Sequence, residues 1–123
     1  IEALFGEASE VDPDTVDGLD RFLIDDESVE RVFVVVNTLF VFSSERLLVV
    51  QREGFTGRRM DFHTVPYESI RDFTLGTPGR FESESELRIW LYGMTSPIRH
   101  TVDERLDADI MYRALSERVL QRG

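Results

Sequence analysis

From Val29 to Asp103 the sequence is a succession of short β-branched and aromatic runs, each cut by a turn. No connection among them is long enough to hide a crossover helix. Parallel pairing needs such crossovers, so this alone commits the middle of the chain to antiparallel sheet. Val29–Asn37 (VERVFVVVN) and Thr38–Ser43 (TLFVFS) meet at Asn37-Thr38, which leaves room only for a tight hairpin. Arg46–Arg52 and Arg58–Val65 flank Glu53-Gly54-Phe55-Thr56-Gly57, where glycine can supply the positive φ of a reversal. Pro66 lacks a donor and ends that run, and Tyr67-Glu68-Ser69 turns the chain into Ile70–Gly76. Thr77-Pro78-Gly79-Arg80 is a further turn, followed by strands over Glu86–Tyr92 and Ile98–Asp103.

The two ends read differently. Asp12-Pro13 is a helix start signal, and Val16, Leu19, Phe22 and Leu23 follow as an apolar stripe of period near 3.6. The spacing predicts a short N-terminal helical segment within an arm of residues 1–27, broken at Asp25-Asp26-Glu27. At the other end Asp107 is a plausible cap. Ile110, Met111, Ala114, Leu115 and Val119 then share one face of a helix over residues 107–122. The expectation is a single domain, mainly β with α: a seven-stranded barrel or orthogonal sandwich over 28–103, one end of it capped by the C-terminal helix.

Composition narrows the function classes. At 123 residues the chain can bury a proper core, and a hydrophobic content of 41% with nine Phe argues against disorder. There is no cysteine, so no disulfide or thiol chemistry is expected and a cytoplasmic setting is the default. No apolar run approaches the roughly 20 residues of a membrane-spanning helix, and no charged-then-apolar signal peptide opens the sequence. The net charge is −10, and all 14 basic residues are arginine. Dense carboxylates without lysine favour a salt-in halophile over GC-rich coding alone. A domain of this sign is a poor partner for nucleic acid and is disfavoured at an anionic bilayer.

Certain residues carry a family likeness. Ser44-Glu45-Arg46-Leu47-Leu48, the Gly54–Gly57 turn and Val65-Pro66-Tyr67-Glu68-Ser69-Ile70 resemble the bacterial pleckstrin-homology (PH) domain family. In that family a T/S-x-x-R-aliphatic strand and a Pro-Tyr-x-x-Ile corner recur. The likeness extends to Gly6, Ala8, Ser9, Glu10, Val11 and Asp12, and to Glu86, Leu87, Ile89 and Trp90, and so covers nearly the whole chain. It implies the PH superfold and stand-alone modules that assemble into ring-shaped homo-oligomers, with no established catalytic residues and no cofactor. Lipid-binding eukaryotic members of the superfold use a basic motif at the first hairpin, and here Arg31 is the only base near it.

Chemistry-bearing clusters are few. Arg58, Arg59, His63, Arg71 and Arg80 fall on neighbouring strands and turns and could grip phosphate or carboxylate. In so acidic a chain, pairing with nearby acids such as Asp61 and Asp72 is the favoured reading. His63 and Asp61 alternate on one strand face, but no third metal ligand accompanies them, and a surface histidine is the better reading. Ser43, Ser44 and Ser69 lie in turns without a nucleophile elbow, so no catalytic residue is expected. Asp12-x-Asp14 opens like a calcium loop, but Val16, Asp17 and Leu23 occupy positions that need an oxygen ligand, a glycine and a glutamate. Glu82-x-Glu84-x-Glu86 is best read as a solvated edge, so no metal is expected.

The sixth predicted strand is asymmetric. Leu87, Ile89 and Leu91 point inward by the period-two rule, and Arg88, Trp90 and Tyr92 point outward. Outward Arg, Trp and Tyr are the residues that interface centres prefer. The slightly favoured reading is that the N-terminal stripe of Val16, Leu19, Phe22 and Leu23 folds across this face, and in a ring both contacts can hold side by side. The expected partner is a second copy of the chain, or another protein. An anion or phospholipid at Arg58, Arg59, Arg71 and Arg80 is the runner-up.

Overall fold

The computed structural model describes residues 5–53 and 58–121. The Glu53–Gly57 turn predicted from the two glycines therefore lies largely outside the described residues. The chain divides into two compact units, Ile1–Val65 and Pro66–Gly123.

The first unit holds a five-stranded antiparallel sheet in sequence order: β1 (Gly6–Val11), β2 (Val29–Val36), β3 (Thr38–Ser43), β4 (Arg46–Glu53) and β5 (Arg59–Pro66). Register sorts its side chains. Val34 pairs with Leu39 and Leu39 with Val50, while Val32 pairs with Val41 and Val41 with Leu48. These six, with Leu19, make one buried apolar cluster, and Val11, Val16, Val29, Met60 and Phe62 pack around it. The alternate residues Phe33, Phe40, Phe42, Leu47 and Val49 are buried as well. That is why β2, β3 and β4 read as continuous apolar runs with no polar alternation.

Three corrections belong to this unit. Eight strands are present among the described residues rather than seven, because Gly6–Val11 forms β1 beside β2. Its sequence GEASEV is poor in strand formers and only Ala8 is buried, so no apolar signal announces it. Among the described residues the N-terminal arm forms no α-helix. Asp12 does cap a turn, accepting from Asp14 N–H at 2.9 Å, but only the two 3₁₀ turns Pro13–Thr15 and Asp20–Phe22 form. Gly18, at φ 85°, separates them, since a left-handed residue cannot continue a right-handed helix. Finally, Val35 pairs with Thr38, so the first hairpin turns at Val36-Asn37, one residue earlier than predicted. Val36 pays for that position with φ 52°, a conformation that β-branched residues rarely adopt.

The second unit opens with a 3₁₀ turn at Tyr67–Ser69. Three antiparallel strands follow, β6 (Ile70–Gly76), β7 (Glu84–Leu91) and β8 (Ile98–Asp103), in that order. The chain then enters α1 (Ala108–Leu120), whose N-terminus is capped by Asp107 accepting from Asp109 N–H at 3.0 Å. Met111, Ala114, Leu115 and Val119 are buried as the periodicity predicts, while Ile110 is exposed and Ala108 takes a buried place. The helix rests on β6 through an edge-to-face contact of Tyr112 with Phe73 at 5.3 Å, and Arg118 lies over the Tyr67 ring. Among the described residues no helix is long and apolar enough to cross a membrane.

Candidate interaction surface

The five residues singled out as a possible anion site fall in two groups. Arg58 precedes β5, and Arg59 and His63 lie on it with Asp61 between them, all exposed, while Met60 and Phe62 turn toward the core. Arg59 is 76% exposed and its nearest acid is Glu53, at 3.8 Å, rather than Asp61. Arg52, at the same end of the sheet, donates to Asn37 Oδ1 at 2.9 Å. Arg71 and Arg80 belong to the second unit and stand at opposite ends of β6. Arg71 pairs with Asp72 at 2.7 Å, as its sequence neighbourhood suggests, and Arg80 lies over the Phe81 ring. Within that unit the two arginines are not brought together. Among the described residues no group of three or more His, Asp or Glu side chains is arranged to hold a metal ion.

The arginine of the S-x-x-R pattern has a structural role. Glu27 sits just after Asp26, whose φ of 67° swings the chain inward, and its side chain is fully enclosed. Its Oε1 accepts from Arg46 Nη2 at 2.6 Å and from Ile24 N–H at 3.0 Å. Its Oε2 accepts from Arg46 Nε at 2.9 Å and from the Ser43 hydroxyl at 2.5 Å. Arg46 also donates to the Phe22 carbonyl and to Thr64 Oγ1. The guanidinium fork, with the Ser43 and Ile24 donors, outweighs desolvation and holds the Glu27 carboxyl down at about 2. Ser43 Oγ meanwhile accepts from Glu45 and Arg46 N–H groups, so its hydroxyl is engaged on every side. This network clasps the 19–28 segment to the β3–β4 hairpin. Sequence reading caught Ser44 and Arg46 as a pattern and missed Glu27, nineteen residues upstream of Arg46.

The outward face of β7 carries the other named candidates. Leu87 and Ile89 are buried and Leu91 is half-buried, while Arg88 and Trp90 are half-buried on the opposite face. Tyr92 lies just beyond the strand end and is 64% exposed, its N–H donating to the Ser69 carbonyl at 2.9 Å. Met94 follows it, also exposed, in the β7–β8 turn. The N-terminal apolar stripe packs within its own unit. Leu19 is 2% exposed in the first unit's cluster, and Phe22 stacks on Phe62 at 4.2 Å.

Around Arg88 is a polar arrangement that the single-strand pattern did not reveal. Arg88 stands directly opposite Arg99 on β8 and opposite Thr74 on β6. Its Nε donates to Glu86 Oε1 at 2.6 Å and its Nη1 to Thr74 Oγ1 at 3.1 Å. The rest of the guanidinium lies over Gly76, where any Cβ would collide with it. Arg99 donates to the same Glu86 oxygen at 3.0 Å. The Arg88 hydrogen bond, with the charges of both arginines behind it, holds the Glu86 carboxyl below its ordinary range. Two arginines thus share one carboxylate, and Arg88 is fixed from three sides. The register of β6, β7 and β8 is the signal that finds Arg99, Thr74 and Gly76.

Comparison with known proteins bears on the family and the fold. The family model described as Bacterial PH domain matches residues 1–119. An uncharacterised protein of Bacillus subtilis strain 168, YjqA, is 40% identical over 98 residues, 79% of this chain and 78% of that protein. A solved structure of a DUF1696 family protein with a pleckstrin-homology domain, from Shewanella loihica PV-4, is similar at TM-score 0.79 and 28% identity, covering 93% of this chain and 98% of the other. A pleckstrin-homology domain from Shewanella amazonensis SB2B gives TM-score 0.76 at 29% identity, over 83% and 92%. These likenesses extend over both units and agree with the two antiparallel sheets and the single C-terminal helix.

Proposed function

The chain belongs to the bacterial PH domain family, and within it we propose that this member is a non-catalytic interaction module that self-assembles into a ring-like homo-oligomer. The observation that carries this reading is the outward face of β7. There a half-buried Trp90 lies between the braced Arg88 and the exposed Tyr92 and Met94. Aromatic residues and arginine are enriched in interface centres, and a side chain already fixed in place loses little entropy on contact. Light scattering on the purified chain at low and high salt should give a mass several times 14.2 kDa. Trp90→Ala or Tyr92→Asp should weaken assembly about tenfold or more, as loss of a contact worth over 1.4 kcal/mol does. Unchanged mass in both variants removes β7 from the interface.

A second reading has its own support. Arg58 and Arg59 are exposed at the end of the first sheet that also carries Arg52. Such a group suits an anion or a phospholipid headgroup. Titration with inorganic phosphate and with phosphatidylserine vesicles separates the two sources. Arg58→Glu combined with Arg59→Glu abolishes binding if this reading holds, and an unmodified chain that binds neither probe rules it out.

A further inference from the structure

The β6–β7 hairpin carries two features that complement each other and cannot meet on the same chain. At its turn, Phe81 is 94% exposed with Arg80 over one face of its ring, and the exposed acids Glu82 and Glu84 beside it outnumber that one base. Toward the other end of β7, Trp90 follows the Arg88–Arg99 pair. That pair is a like-charged cross-strand neighbour, an arrangement that costs stability unless an anion compensates it. Glu86 supplies one negative charge for two positive ones, through a single oxygen. A net-positive spot on a chain of net charge −10 is chemically the exception on its surface. The acid turn has the opposite fault, because Glu84 stands directly opposite Asp103, and Asp103 is already held by Arg105. Six residue steps of extended strand from Glu84 to Trp90, at roughly 3.3 Å each, keep the turn away from its own Trp90.

We infer that the β6–β7 turn of one copy docks on the outward face of β7 in the next, Phe81 against Trp90 and Glu82 and Glu84 against Arg88 and Arg99. The assignment rests on the self-assembly proposed above and specifies its contact. Carboxylates on paired guanidinium groups form short charge-assisted hydrogen bonds, and two aromatic rings gain from offset or edge-to-face contact at 4.5–7 Å. Turn and acceptor are different surfaces, so the contact is head-to-tail, the kind that closes into a ring when the rotation between copies permits. An isologous dimer would instead use one patch twice.

Two variants test it. In the turn variant, Phe81→Ser and Glu82→Arg remove the donor and keep the acceptor. In the acceptor variant, Trp90→Ser and Arg99→Glu remove the acceptor and keep the turn. Each alone should run as a monomer where the parent chain assembles. Mixed, they retain one good contact and should form a 1:1 pair that grows no further. Trp90 is the only tryptophan, so the acceptor variant is dark when tryptophan is excited selectively. Titrating it into the turn variant should shift the Trp90 emission saturably to the blue, and this binding also shows both variants to be folded. A turn variant that assembles like the parent overturns the contact and leaves self-assembly standing, as does a mixture with no emission change. A parent chain that is monomeric at every salt concentration defeats the underlying reading itself.

Discussion

The Glu27 carboxylate has no water to fall back on, so its ion pair with Arg46 is worth more than a surface pair. Its pKa is lowered from 4.5 to about 2 by the folded environment. A depressed carboxyl contributes stability that is full above its unfolded pKa and disappears as pH falls through the folded value. Stability of the parent chain should therefore decline from about pH 4.5 toward pH 2 on account of this group. Glu27→Gln should cost about 3–5 kcal/mol at neutral pH, because it leaves the half-enclosed Arg46 without its counter-charge. It should also flatten that part of the acid profile. Denaturant unfolding across pH checks both, and a loss under 1 kcal/mol would reduce the clasp to an ordinary surface pair. Val36 is the opposite case, an exposed residue held at φ 52° by the two-residue hairpin. Relieving about 1–2 kcal/mol of left-handed strain outweighs the greater chain entropy of glycine, so Val36→Gly should raise the melting temperature. Neither effect is legible in the sequence, since one depends on a partner far away in the chain and the other on a one-residue difference in register.

At the scale of elements, what could be read depended on whether an element carries its own apolar pattern. β2 to β8 and α1 do, and their positions follow from β-branched runs, turn residues and a 3.6-residue period. β1 does not, because an edge strand with one buried alanine has little hydrophobic signature. The 16–23 segment misleads in the other direction. Val16, Leu19 and Phe22 have helical spacing, yet Gly18 and the neighbouring β-branched residues break the helix. The apolar side chains reach the sheet from two separate 3₁₀ turns. They remain core residues with a different backbone. Leu19→Ala should accordingly cost about 2–5 kcal/mol, as a cavity in a packed cluster does. A detachable helical arm would tolerate the change within about 0.5 kcal/mol, and equilibrium unfolding separates the two outcomes.

At the scale of the whole molecule, the family likeness was readable from contiguous residues, whereas the proposed interaction surface was readable only in part. Arg88, Trp90 and Tyr92 emerge from alternation along one strand. Arg99, Thr74 and Gly76 become their neighbours only once three strands are in register, and Phe81 declares itself only by its exposure. Arg59 and His63 follow from the same alternation on β5, with Arg58 just ahead of the strand, while Arg71 and Arg80 are separated by the length of β6. A net charge of −10 on every copy opposes association at long range, and salt screens that repulsion within about 8 Å at physiological ionic strength. Self-assembly is the central claim, and native mass spectrometry supported by light scattering at low and high salt tests it most directly. The account predicts one closed stoichiometry, a single integer multiple of 14.2 kDa, favoured as salt rises. A chain that remains at 14.2 kDa under both conditions contradicts it.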